Sequence, residues 1–270
     1  MPDVSVIIPT YNSAAYIAET LASVCAQTFD SLEIIVIDDC SADATCDITA
    51  AAASNDSRIR LIKLDRNSGR PAVPRNIGIR ASCGKFIAFL DSDDLWHCQK
   101  LEIQLAAIRS SGVSFCSSRM IRFTEKSKIN RLMETHFDSS KIKTSRVSHK
   151  RLLHKNAICN SSVIVAREII LESPFIEDMR YKAIEDFHNW LTIHQRYGFS
   201  SIIVEAPLMF YRVAHLSISR SKLLMLKRNY TLFSEYKVGG RKLGLKRFFY
   251  IGSYIYNSLR QKLFGSDFRQ

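Results

Sequence analysis

The sequence predicts an α/β protein: a Rossmann-like αβα sandwich on a mostly parallel, mixed central sheet, followed by a basic helical tail. Three observations predict it. Strand and helix signals alternate through the first hundred residues. Each strand signal is a short, nearly unbroken apolar run, as in a sheet covered on both faces. Polar clusters follow three of the strands, at the carboxyl ends where open α/β sheets bind ligands.

The elements follow in order. Val4-Ser5-Val6-Ile7-Ile8 is a β-branched run stopped by Pro9, hence a buried strand. Residues 14–27 place Ala14, Ile17, Leu21, Val24 and Cys25 close to a 3.6 period, which predicts a helix. Leu32 to Ile37 is a second strand ending in two aspartates, and Ser41 and Asp43 can cap a helix over roughly 43–54. Arg58 to Leu64 reads as a third strand, 73–82 as a helix, and Phe86 to Leu90 as a fourth strand. Val113 to Cys116 and Met120 to Phe123 fit strands of a mixed part of the sheet. Residues 124–150 are polar and basic, the pattern of a loop or insertion. Residues 184–197 are helical in pattern, and Ser201 to Val204 is another strand. The expected division is a catalytic domain over 1–218, with halves 1–110 and 111–218, and a basic amphipathic helical tail over 219–270.

Composition bounds the function. The chain has 270 residues, 46% of them hydrophobic, enough for one substantial core. No apolar run is long enough for a transmembrane helix, and the first residues carry Asp3 at once, lack a basic region and turn at Pro9, unlike a signal peptide. Seven cysteines without a CxxC pair argue against a disulfide framework or a zinc knuckle, and for a reducing cytoplasm. The net charge of +12 is uneven: residues 220–270 hold twelve Lys/Arg against two Asp/Glu. That asymmetry predicts a segment that touches an anionic surface. There is no P-loop, no GxGxxG and no GxSxG, which removes the usual fingerprints of nucleotide hydrolases, dehydrogenases and α/β-hydrolases.

Four clusters carry candidate chemistry. Asp91-Ser92-Asp93-Asp94 sets three carboxylates in four residues, which repel unless a cation sits among them; a hard divalent ion fits, and an acidic helix cap is the bland alternative. Asp38-Asp39 can accept from a nucleobase or ribose, or can simply hold a turn. Arg75-Asn76, after a Gly- and Pro-containing loop, can meet a diphosphate at a helix start, or stay solvated. Glu185-Asp186 can supply a general base, or can favour a helix N-terminus. Tyr11, after the first strand, can stack on a base or pack on the sheet edge.

In order, Val4 to Asn12, Ile35 to Asp43, Arg75-Asn76-Ile77-Gly78 and Phe89 to Asp94 resemble glycosyltransferase family 2, strongly over residues 3–110 and less so to about 215. Cys40 stands where that family usually has glycine or asparagine. The resemblance implies the GT-A fold and an inverting, metal-dependent transfer from a UDP-sugar. It implies that Asp91 and Asp93 hold Mn²⁺ or Mg²⁺, and that Pro9, Tyr11, Asp39, Arg75 and Asp91 contact the nucleotide-sugar. Asp186 would be the catalytic base. Glu185 and Trp190 would border the acceptor, and His215 would touch the metal or diphosphate. Bacterial members of this size point to a lipid-linked saccharide acceptor, with the enzyme at the inner face of the cytoplasmic membrane through its basic tail. The acidic front makes nucleic acid a poor partner. A nucleotidyltransferase and a catalytically decayed binding module are the alternatives.

Overall fold

The computed structural model describes residues 1–198, 200–213 and 222–264. In the donor-side half the elements are β1 (Val4–Thr10), α1 (Ile17–Cys25), β2 (Leu32–Asp38), α2 (Thr45–Asn55), β3 (Ile59–Lys63), α3 (Ala72–Ala81), β4 (Phe86–Phe89), β5 (Leu95–Trp96) and α4 (Lys100–Ser111). Then come β6 (Phe115–Phe123), α5 (Asn130–Met133), β7 (Thr144–Val147), α6 (His149–His154), β8 (Ile164–Ala166), α7 (Arg167–Glu172), α8 (Glu185–Tyr197) and β9 (Ser201–Arg212). Helix α9 (Lys222–Glu235), a small hairpin of β10 (Lys237–Val238) and β11 (Arg241–Lys242), and α10 (Lys246–Phe264) follow.

The strands order as β3-β2-β1-β4-β8-β6-β9-β5, with β7 on β9. The sheet is mixed, as expected. It is parallel from β3 to β4 and again between β6 and β9, while β8, β5 and β7 pair antiparallel. Strand side chains alternate between faces. Ile7, Ile35, Ile37, Ile87 and Phe89 therefore face one layer, with α3 and α6 to α9. Val6, Ile8, Ile34, Val36, Ala88 and Leu90 face the other, with α1, α2 and α4. This double burial is why these strands read as continuous apolar runs.

Gly78 lets α3 sit down on the sheet. A Cβ there would lie 2.6 Å from both Ile7 and Ile37, closer than real carbons come. That approach brings the first turn of α3, with Arg75, to the strand ends.

The second half departs from the sequence expectation in detail. The two short strands expected at 113–123 are one, β6. Strand β9 runs to Arg212 rather than Val204, because Glu205 and Pro207 interrupt the apolar pattern; Pro207 sits at a register irregularity, where a missing N–H is tolerated. Strand β7 lies in the stretch expected to be a loop. It is an edge strand with only Val147 buried, so it has no apolar run to announce it.

The C-terminal segment shares the main core. Leu232 and Phe233 of α9, Leu243, and Ile251 of α10 join the cluster containing Trp190 and Phe187. On α10 Ile251 packs inward, while Phe248 and Ile255 are exposed; the side chains beyond Asn257 lie outside those described.

Candidate active site

The acidic loop after β4 is built rigidly before it does any chemistry. Thr20 of α1 donates its hydroxyl to the Ser92 and Asp94 carbonyls at 2.9 and 3.0 Å. The Ser161 hydroxyl donates to Asp94 Oδ2 at 2.6 Å and accepts from the Asp91 N–H at 3.1 Å. Arg212, at the end of β9, gives its N–H to Asp94 Oδ1 (3.0 Å), its Nε to the Asp93 carbonyl (2.8 Å) and its Nη2 to Glu19 (2.6 Å). Its guanidinium lies against the Tyr16 and Phe123 rings, 4.9 and 4.6 Å from their centroids.

Arg75 ties this loop to the start of α8. It is 4% exposed. Its Nη2 meets Asp91 Oδ1 and its Nη1 meets Glu185 Oε1, each at 2.6 Å. The Asn160 amide lies 3.3 Å from both Arg75 and Asp91. Burial disfavours the cation, but Asp91 and Glu185 outweigh it and raise the Arg75 pKa above the ordinary value. The arginine expected to approach a diphosphate is thus engaged by carboxylates; charge-assisted pairs in a dry site are the stronger ones.

The other two acids of the loop are hard to ionise. Burial, then the Asp91 charge, pushes Asp93 up to about 6. Burial, Asp93 and Asp91 raise Asp94 well above the carboxylate range. Among the described residues no three His, Cys, Asp or Glu side chains form a metal cage. Asp93 and the second oxygen of Asp91 fit a divalent ion that completes its shell with phosphate oxygens, as Mg²⁺ and Mn²⁺ do.

Glu185 and Asp186 open α8, yet their environments differ. Glu185 is buried and paired with Arg75, and its Oε2 has no partner among the described residues. Asp186 is half-buried and accepts from its neighbour's N–H, Phe187, at 2.7 Å. Burial pushes it up to about 7, the Glu185 charge adds to this, and Arg75 opposes it. A carboxylate with a pKa near neutrality is suited to general base work. The residue before this turn, Ala183, has φ +66°, a left-handed conformation costly for alanine.

On the donor side, Pro9 is buried in β1 and Tyr11 is 51% exposed just beyond it, an open ring at the sheet's carboxyl edge. Asp38 accepts from Thr10 and from both the N–H and hydroxyl of Ser41, at 3.0, 2.8 and 2.5 Å. Burial opposes its charge, but these donors prevail and hold its pKa below the usual carboxylate range. Asp39 accepts from the Ser68 N–H and hydroxyl, both at 2.8 Å, and keeps a second lone pair on each oxygen. Cys40 has φ +63°, which explains why glycine or asparagine suits this turn better.

Trp190 requires a correction. It was expected at the acceptor, but it is fully buried, packed edge-on against Phe115 and Phe175 at 5.1 and 5.6 Å. It belongs to the core because α8 turns its apolar face to the sheet. His215 lies outside the described residues. Sequence reasoning missed Ser161, Asn160 and Arg212, which hold the acidic loop; serines and asparagines carry no pattern that marks them. An open hollow of about 370 Å³, lined by Tyr181, His188 and Glu235 among others, contains none of the site carboxylates, so concavity alone does not find the site.

Residues 5–172 match the family model described as glycosyl transferase family 2. The chain is 29% identical over 261 residues to the UDP-Glc:alpha-D-GlcNAc-diphosphoundecaprenol beta-1,3-glucosyltransferase WfgD of Escherichia coli, covering 97% of this chain and 95% of that protein. It is 31% identical to the putative teichuronic acid biosynthesis glycosyltransferase TuaG of Bacillus subtilis, over 87% of this chain and 88% of that one. The fold resembles that of S. aureus TarS 1-349, solved in complex with UDP, with a TM-score of 0.68 and 22% identity over 98% of this chain and 72% of that one. The chain belongs to glycosyl transferase family 2 and is a glycosyltransferase of GT-A fold.

Proposed function

From that membership we propose that the chain transfers a hexose from a UDP-sugar to a polyprenyl-diphosphate-linked saccharide, with inversion, in the assembly of a bacterial surface polysaccharide. The observation that carries this reading is Asp186, a half-buried carboxylate raised to about 7 beside Glu185, the residue that the Arg75 clamp ties to the acidic loop. Asp186 takes the acceptor hydroxyl's proton as that oxygen attacks the anomeric carbon from the side opposite the leaving diphosphate. The unpartnered Glu185 Oε2 accepts a second hydrogen bond from the acceptor sugar. Tyr11 stacks on the uracil, and Asp39 accepts from its ring N–H. Asp93 and Asp91 hold Mn²⁺ or Mg²⁺, which when bound neutralises charge on the diphosphate. The names of the relatives support the donor and acceptor: WfgD is a UDP-Glc enzyme acting on a diphosphoundecaprenol-linked sugar. We place the enzyme at the inner face of the cytoplasmic membrane, through its basic C-terminal segment.

The test is UDP release from a panel of UDP-sugars with Mn²⁺ or Mg²⁺ and a lipid-diphosphate-linked GlcNAc acceptor. Metal-dependent release from one donor is expected. Turnover untouched by EDTA would remove the metal from the reading. Absence of both turnover and UDP binding would sink it.

A further inference from the structure

Helix α10 has two apolar faces. The inner one packs: Ile251 enters the core, Tyr250 stacks on Phe233 with centroids 6.0 Å apart, and Ser253 and Asn257 donate to the His154 carbonyl at 3.1 and 3.3 Å. The outer one is largely open, although one edge of Phe249 meets the His154 ring with centroids 5.4 Å apart. Leu245 is 83% exposed, Phe249 65%, Tyr256 64%, Phe248 51% and Ile255 37%. Gly252 lies between them and faces open space. At 3.6 residues per turn these positions share about one third of the helix circumference.

A surface helix ordinarily turns charge to water, and a contiguous exposed apolar patch marks a contact surface. This patch continues onto α9, because the Arg247 guanidinium lies over both Phe248 (4.8 Å) and Tyr230 (5.6 Å). The same two helices and the hairpin between them carry exposed cations: Lys227, Lys237, Arg241, Lys242 and Lys246. Residues 220–270 carry twelve Lys/Arg and two Asp/Glu, so a second copy of this chain would repel the first across such a contact. An apolar interior beneath an anionic surface is the complementary partner.

We propose that the outward face of α10 is the surface that seats the enzyme on an anionic lipid bilayer. Leu245, Phe248, Phe249 and Tyr256 enter the headgroup boundary, and the surrounding lysines and arginines meet lipid phosphates. The proposal rests on the reading of a lipid-linked acceptor and specifies how that acceptor is met.

Flotation of the purified chain with phosphatidylglycerol-rich vesicles, against pure phosphatidylcholine vesicles, tests this. The wild type should bind the anionic vesicles. Replacing Phe248, Phe249 and Tyr256 together by Ser should weaken binding about tenfold or more. Arg241→Glu with Lys242→Glu, on the exposed hairpin, should do the same without touching α10, which guards against misfolding of the first variant. Both should keep the wild-type rate on a water-soluble acceptor analogue and lose rate on acceptor embedded in vesicles. Unchanged vesicle binding by both variants would overturn the proposal, as would an equal loss on the soluble analogue. A wild-type dimer that the aromatic variant turns into monomer, measured by light scattering, would overturn it in favour of self-association. Failure of the wild type to bind vesicles would overturn the surface alone, because transfer to detergent-dispersed acceptor tests the acceptor reading separately.

Discussion

Two strand-end loops of the same sheet hold paired acids, and they are opposites. After β2, Asp38 and Asp39 accept from Thr10, Ser41 and Ser68, and Asp38 is held below the usual carboxylate range. After β4, half-buried Asp93 and buried Asp94 sit beside Asp91 and are pushed the other way. Arg75 answers only one carboxylate of that loop, Asp91, and uses its other amino group on Glu185. In the first loop hydrogen-bond donors outweigh burial at Asp38; in the second, burial and like charge prevail at Asp93 and Asp94. Chemistry is expected where charge is left unmet, because desolvated like charges are what a metal or a transferred proton can relieve.

The largest test of this contrast is at the base. Asp186→Asn should keep UDP binding, measured by titration, and lower kcat by about 10²–10⁴-fold, the range of general base contributions. Wild-type turnover in that variant would end the assignment.

The next test sets the two loops against each other in metal-free buffer. Asp38→Asn should destabilise by about 1–3 kcal/mol, because three donors lose a charged acceptor. A depressed pKa means this stability is present above the unfolded value and lost as pH falls through the folded one. Asp93→Asn should have the opposite sign. Its raised pKa makes ionisation unfavourable to the fold, so stability falls as pH rises from 3.8 toward about 6, and the neutral side chain should be more stable above that window. Denaturant midpoints of the two variants at neutral pH measure this; equal losses would erase the contrast.

The smallest effect is on pH dependence. The rate should rise with pH through about 7 as Asp186 becomes the carboxylate. Glu185→Gln removes the neighbouring charge that helps raise it, so the acid limb of kcat should move to lower pH. An unmoved limb would mean another group controls it.

Through β4 the donor-side half was legible in the sequence because its strands are buried and its helices apolar on one face, so periodicity reports them; the two-residue β5 and helix α4 were not read. The acidic clusters were legible as well, being polar residues at the ends of apolar runs. Trp190 was misread because an aromatic near an acidic pair looks the same in sequence whether it lines a site or fills a core. Strand β7 and the length of β9 were hidden because edge exposure and Pro207 break the apolar pattern that reports a strand.

The sequence by itself determined the sandwich, the order of the strand-end clusters and the excess of positive charge in the last fifty residues. Only the tertiary structure decided which acids are satisfied, that Arg75 is committed to Asp91 and Glu185 across 110 residues of sequence, and which face of α10 is left to solvent. The physical reason is the same in each case. Local pattern depends on neighbours in the chain, whereas desolvation, ion pairing and exposure depend on neighbours in space.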